Sequence, residues 1–123
     1  MSVSIGGLKS LCEKNVVELL FKKRTNGLHR RMLATLDYSL LNSPEGMQIF
    51  NFKPPRYFPP FDASSKGLVT LFDIFMLNWR NVPASSVEII MAIPTQPPDA
   101  FWDYFDKFIS KMSATQKASF MQK

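Results

Sequence analysis

The sequence predicts a mainly β (α+β) fold: a small antiparallel β-barrel with a short N-terminal helix and an added C-terminal amphipathic helix. Three observations carry this expectation. Five short apolar runs are separated by turn residues, with no helices of crossover length between them, which argues against a parallel βαβ sheet. Two of the runs flank an Asn-Gly turn, the strongest short hairpin signal. Near the C-terminus, apolar residues recur at helical spacing. The 123 residues hold one domain, residues 1–123, with no room for two independent cores.

The elements follow in order. Residues 5–14 are expected to be a short helix, with Leu8, Leu11 and Cys12 at helical spacing. The run VVELLF at 16–21 is a strand, Thr25-Asn26-Gly27 is its turn, and RRMLAT at 30–35 is the return strand. Residues 36–42 are a helical turn or an irregular exit. Residues 43–65 are a long insertion in the barrel, in which Pro44 fits the first position of a one-turn helix capped by Ser43. The four prolines at 54–60 forbid a central strand there. Residues 68–76 restart regular structure as a strand with a turn at Asp73, and 78–82 return. A tight turn, Pro83-Ala84-Ser85-Ser86, leads to a last strand at 87–93, so the barrel spans about 15–93.

After the linker at 94–98 comes a helical extension at 98–121. In its first helix Phe101, Phe105, Phe108, Ile109 and Met112 form one apolar stripe. Ser113 and Gln116 have the spacing of a capping box that starts a second short helix.

Composition narrows function. Fifteen Lys and Arg stand against ten Asp and Glu, a net charge of +5. Residues 1–60 carry the whole excess, and residues 61–123 are neutral. A basic region points to a polyanionic partner. Cys12 is the only cysteine and His29 the only histidine, so neither a disulfide framework nor a thiolate metal cluster is expected. No apolar run reaches the ~20 residues of a membrane span. The first fifteen residues lack the basic and long apolar segments of a signal peptide, so a reducing cytoplasm is expected. No carboxylate pair, metal-spaced cluster or glycine-rich phosphate loop is present, so neither catalysis nor a cofactor is expected.

Two blocks carry a resemblance. The first is Phe21, Lys22, Lys23, Asn26, Gly27, Arg30, Met32, Ala34, Thr35 and Leu36. The second is Leu68, Val69, Leu71, Phe72, Asp73, Trp79, Arg80, Val82, Ser86 and Val87. Together they resemble a small phage and virus family of WYL-like proteins with an Sm-like SH3 β-barrel, over about two-thirds of the chain. The long insertion, the C-terminal helix and the apolar FDIFMLNW segment depart from that pattern. The resemblance implies an Sm/SH3-like barrel, a phage or virus as source, and the cytoplasm of an infected host cell as location.

The candidate binding residues fall in two groups. Lys22, Lys23, Arg24, Arg30 and Arg31 come together around the hairpin turn with no acid in the two runs, and His29 lies among them. Phosphates bind such a cluster by charge and by guanidinium forks. Around the proline-rich loop Phe50, Phe52, Tyr57, Phe58 and Phe61 supply rings, with Lys53 and Arg56 interleaved. Single-strand binders combine a basic groove with rings on which bases stack. The expected function is therefore binding of single-stranded nucleic acid, RNA ahead of DNA, with little sequence preference. A solvated hairpin tip and rings packed on the barrel are the plain alternatives. Pro54-Pro55-Arg56-Tyr57 also spells PPxY, a pattern short enough to arise by chance. Asp73 is expected to be a turn residue that holds Arg80, and Trp79 a core residue, with an Arg80 contact to a nucleotide as the secondary reading. A protein-interaction or assembly module is the other functional class, with a homo-oligomer through the 101–112 helix as its form.

Overall fold

In a computed structural model the chain is described at residues 4–23, 27–50 and 67–120. Five strands form one antiparallel sheet: β1 (Asn15–Lys22), β2 (His29–Thr35), β3 (Leu68–Asp73), β4 (Asn78–Pro83) and β5 (Glu88–Pro94). Their order is β4-β3-β2-β1-β5. The first four strands meander, and β5 returns to lie beside β1. The sheet is open, with β4 and β5 at its ends and no ladder joining them among the described residues. It is also curled. Flat neighbours spaced about 4.8 Å apart would hold β1 and β4 about 14 Å apart, yet the two approach within 8 Å, Cα to Cα.

The hairpin forms as its turn residues dictate. The Lys23 N–H donates to the Leu28 carbonyl at 2.8 Å and the Gly27 N–H to that of Lys23 at 3.0 Å. Gly27 takes φ +72°, where a residue without a Cβ is favoured. A register shift in the β1–β5 ladder leaves Ile90 without a partner, between Ile89 opposite Leu19 and Met91 opposite Glu18. Such a bulge bends its strand and increases local twist, and Ile90 is left exposed.

Among the described residues five α-helices flank the sheet. Helix α1 (Ile5–Lys14) starts on Ser4, whose hydroxyl accepts the Gly7 N–H, and buries Leu8 and Cys12. Asp37 caps α2 (Tyr38–Leu41) through the Leu40 N–H. Its other carboxylate oxygen accepts a hydrogen bond from the Thr95 hydroxyl, fastening the start of α2 to the end of β5. Ser43 caps α3 (Pro44–Ile49) with Pro44 in the first turn, so the first part of the expected insertion is helical. Gly46 is required there, since a Cβ would lie 2.1 Å from the Leu40 carbonyl oxygen. Residues 51–65 of that insertion lie outside the described residues.

Helix α4 (Pro98–Tyr104) runs into a π-turn at Phe105–Ile109, closed by the Ser110 N–H on the Phe105 carbonyl at 2.9 Å. The extra residue in that turn breaks the expected stripe. Phe101, Phe105 and Ile109 point inward, whereas Phe108 is 58% exposed. In α5 (Ala114–Phe120) the capping box is reciprocal: Gln116 N–H to Ser113 Oγ at 3.1 Å, and Ser113 N–H to Gln116 Oε1 at 2.9 Å.

The sheet separates two cores. On its inner, concave face Val17, Leu19, Phe21, Met32, Ala34, Val69, Leu71 and Val82 pack with Leu8 and Cys12 of α1. On its outer face Val16, Leu33, Phe72 and Ile93 pack with Leu40, Phe50, Phe101, Phe105, Ile109 and Phe120. Strand β3 is buried along its whole length because it is covered on both sides.

Candidate nucleic-acid interface

The β1–β2 ladder decides which basic side chains share a surface. Lys22 stands opposite His29 and Leu20 opposite Arg31, whereas Phe21 stands opposite Arg30. Residues directly opposite each other share a face, and successive residues alternate. Lys22, His29 and Arg31 therefore lie on the outer face of the hairpin, all three exposed. Lys23 is partly buried and follows at the turn. Arg24 lies outside the described residues, as do Phe52, Lys53, Arg56, Tyr57, Phe58 and Phe61, whereas Phe50 is buried in the outer core and offers no open ring face for a base.

Arg30 does not join this group. Its side chain points into the inner core, is 2% exposed, and donates from Nη2 to Asp73 Oδ2 at 2.8 Å. The expectation that Arg30 meets phosphate on the hairpin surface is corrected by this burial. Arg31 also has an acid beside it, which the two basic runs of sequence do not reveal. Its Nε lies 3.6 Å from Glu18 Oε2, and its guanidinium sits 5.6 Å from the centre of the Phe120 ring. At 48% exposure it still faces solvent, where such a pair contributes little to stability.

Asp73 is a turn residue, as its sequence context suggests, but it holds Arg30 and not Arg80. Asp73 Oδ1 accepts the N–H groups of Phe75 and Met76, both at 3.0 Å. The carboxylate is fully buried. Burial pushes its pKa above the ordinary carboxylate range, against the pull of the Met76 N–H, Arg30 and the Phe75 N–H. Burial likewise lowers the pKa of Arg30, with Asp73 opposing. Arg80 faces the same inner side: it stands opposite Leu71, and Val82 opposite Val69. Its Nε is buried without a hydrogen-bond partner, as is that of Arg30. Trp79 turns the other way and packs edge-to-face on Phe72 with ring centres 5.5 Å apart.

Two further acids and the C-terminal stripe are likewise engaged within the protein. Asp37 is a helix cap and Glu18 flanks Arg31. Phe101 and Phe105 fill the outer core against Phe50 and Trp102. The apolar stripe suggested as a subunit contact is thus covered by the chain's own core, apart from Phe108. Among the described residues no helix is long and apolar enough to cross a membrane.

The part of Arg30 in this inner-face cluster is what sequence reasoning missed. Its one local signal is alternation. Arg30 shares a face with Met32 and Ala34, and Arg80 shares one with Val82. Comparison of the chain with protein-family models, with curated proteins and with solved structures finds no match.

Proposed function

We propose that this protein is a non-enzymatic nucleic-acid-binding protein of a phage or virus, built on an Sm/SH3-like barrel and favouring single-stranded RNA. The observation that carries the reading is the shared outer face of Lys22, His29 and Arg31 at the hairpin end, in the half of the chain that holds all the excess positive charge. The strand meander, the curl that brings β1 near β4, and the short 3₁₀ turn (Ala84–Ser86) before β5 support the barrel. Fold similarity alone assigns no ligand, so the charge is the argument.

The test is fluorescence anisotropy with a labelled single-stranded RNA at several salt concentrations, beside single-stranded DNA and a duplex. Binding to RNA should weaken steeply with salt. Replacing Lys22, Lys23 and Arg31 by Ala should lower the slope of log affinity on log salt by about 2, at about 0.7 per lost phosphate contact. No binding to any of the three at low salt, or a triple variant with unchanged slope, defeats the reading.

A second reading has its own observation. Strand β5 ends the sheet and exposes Ile90 and Met91. An exposed apolar edge is where a partner's strand adds to a sheet. If the protein is such an interaction module, Ile90→Lys abolishes capture of that partner and leaves RNA anisotropy unchanged.

A further inference from the structure

The charges at one end of the inner core do not balance. Asp73 has committed both oxygens, Oδ2 to Arg30 and Oδ1 to two backbone N–H groups. Arg80 lies on the same face of the sheet, two residues along β4 from Asn78, which stands opposite Asp73. Among the described residues no ion pair links Arg80 to a carboxylate. Two guanidinium groups therefore meet one carboxylate, and each keeps a buried Nε–H without an acceptor.

Unpaired buried donors are rare in folded proteins, because each forfeits its hydrogen bond to water without a replacement. An excess buried charge costs more still. Both deficits have one remedy, an oxyanion that brings negative charge and acceptors together. Arg80 is only partly buried, so an anion has a way in. The guanidinium presents a planar fork of donors that matches phosphate in a way a lysine ammonium does not.

Resting on the nucleic-acid reading above, we infer that Arg80, backed by the Arg30–Asp73 pair, seats one phosphate group of the bound strand. Arg30 is a positioning residue in this arrangement. It stays on Asp73, since leaving would strand a buried carboxylate, and it contributes a fixed positive charge behind Arg80. Arg30 links the seat to the basic hairpin only through its backbone, which lies in β2 between His29 and Arg31 while its side chain faces the inner side. The exposed hairpin cations lie on the outer face and the Arg80 fork on the inner one.

The experiment follows the arginine Nε–H resonances of ¹⁵N-labelled protein during titration with the RNA and, separately, with inorganic phosphate. It is paired with anisotropy on Arg80→Gln and Arg80→Lys. RNA and phosphate should each shift the Arg80 signal. Arg80→Gln should weaken RNA binding about tenfold, in the range of a charge-assisted hydrogen bond, and lower the salt slope by about 0.7. Arg80→Lys should keep the slope and lose part of the affinity, because the charge remains and the fork does not. The resonances of the unaltered protein keep the test decisive if a variant fails to fold. RNA binding with an unmoved Arg80 signal and an unaffected Arg80→Gln variant overturns the seat while the nucleic-acid reading stands. Phosphate moving Arg80 in a protein that binds no RNA overturns the nucleic-acid reading, and with it the assignment of the phosphate to a strand.

Discussion

The two faces of the sheet are packed by different chemistry. The inner core is aliphatic apart from Phe21, drawing on Leu8, Cys12, Val17, Leu19, Met32, Ala34, Val69, Leu71 and Val82. The outer core adds rings to its aliphatic residues: Phe50, Phe72, Phe101, Phe105 and Phe120, with Trp79 and Trp102 against them. Curling explains the difference. Side chains on the concave face of a curled sheet converge, so branched and small residues fill the space at native density. On the convex side they diverge, and the short helices lying there leave gaps that large rings span. Several of those rings meet edge-on, as in Phe50–Phe105 at 79° and Phe101–Trp102 at 76°, an arrangement their quadrupoles favour. The inner core also ends on an ion pair. Its stability therefore depends on paired charge at one end, whereas the rings of the outer core depend on shape.

The largest expected effect tests that contrast directly. Asp73→Ala strands the Arg30 guanidinium and removes the turn acceptor, and should cost about 3–5 kcal/mol in denaturant unfolding. Asp73→Asn keeps an acceptor for the Phe75 and Met76 N–H groups. Combined with Arg30→Met, it should restore most of the loss, since an apolar replacement for a buried pair is often neutral. If Asp73→Ala costs no more than a surface change, the pair does not anchor the inner core. On the outer side, Phe101→Ala should cost about 3–5 kcal/mol by leaving a cavity among rings. No change of charge should rescue it, and Phe101→Leu should recover part of the loss by refilling volume.

The smallest effect sharpens the description of the inner core. Cys12 is fully buried, and burial first, then Glu13, pushes its pKa up from 9.0 to about 12. A thiol whose folded pKa is raised stabilises the fold fully below the unfolded value and loses that contribution as pH rises toward the folded one. Stability should thus fall between pH 9 and 12, by about 1.4 kcal/mol per unit from this group. Cys12→Ala should remove that share of the alkaline slope. Equal slopes in the two proteins would mean that the thiolate reaches water in the folded state.

Much of the local structure was legible in the sequence. Thr25-Asn26-Gly27 marks the hairpin, and Gly27 takes the positive φ it permits. Ser43 before Pro44, and Ser113 with Gln116, mark helix starts that form as their spacing indicates. The C-terminal stripe reads correctly at Phe101, Phe105 and Ile109 and fails at Phe108, because helical periodicity assumes a regular turn and a π-turn inserts a residue. The basic cluster was legible as composition but not as a surface. Arg30 and Arg31 are adjacent in the chain, so strand geometry sends them to opposite faces. With Met32 and Leu33 following, both faces read as buried, and alternation alone does not say which arginine reaches water.

The sequence by itself determined the strands, the turns and the caps, because each depends on hydrogen bonds and dihedral preferences within a few residues. It also determined that positive charge is concentrated in one half of the chain. Only the tertiary structure decided that β5 lies beside β1, that Asp37 fastens to Thr95, and that Asp73 takes Arg30 while no ion pair holds Arg80 among the described residues. The two side-chain links join groups 43 and 58 residues apart, and the β1–β5 ladder joins strands farther apart still. A carboxylate has few acceptor positions to divide among several donors, and which donor wins depends on where the curled sheet brings the chain back together.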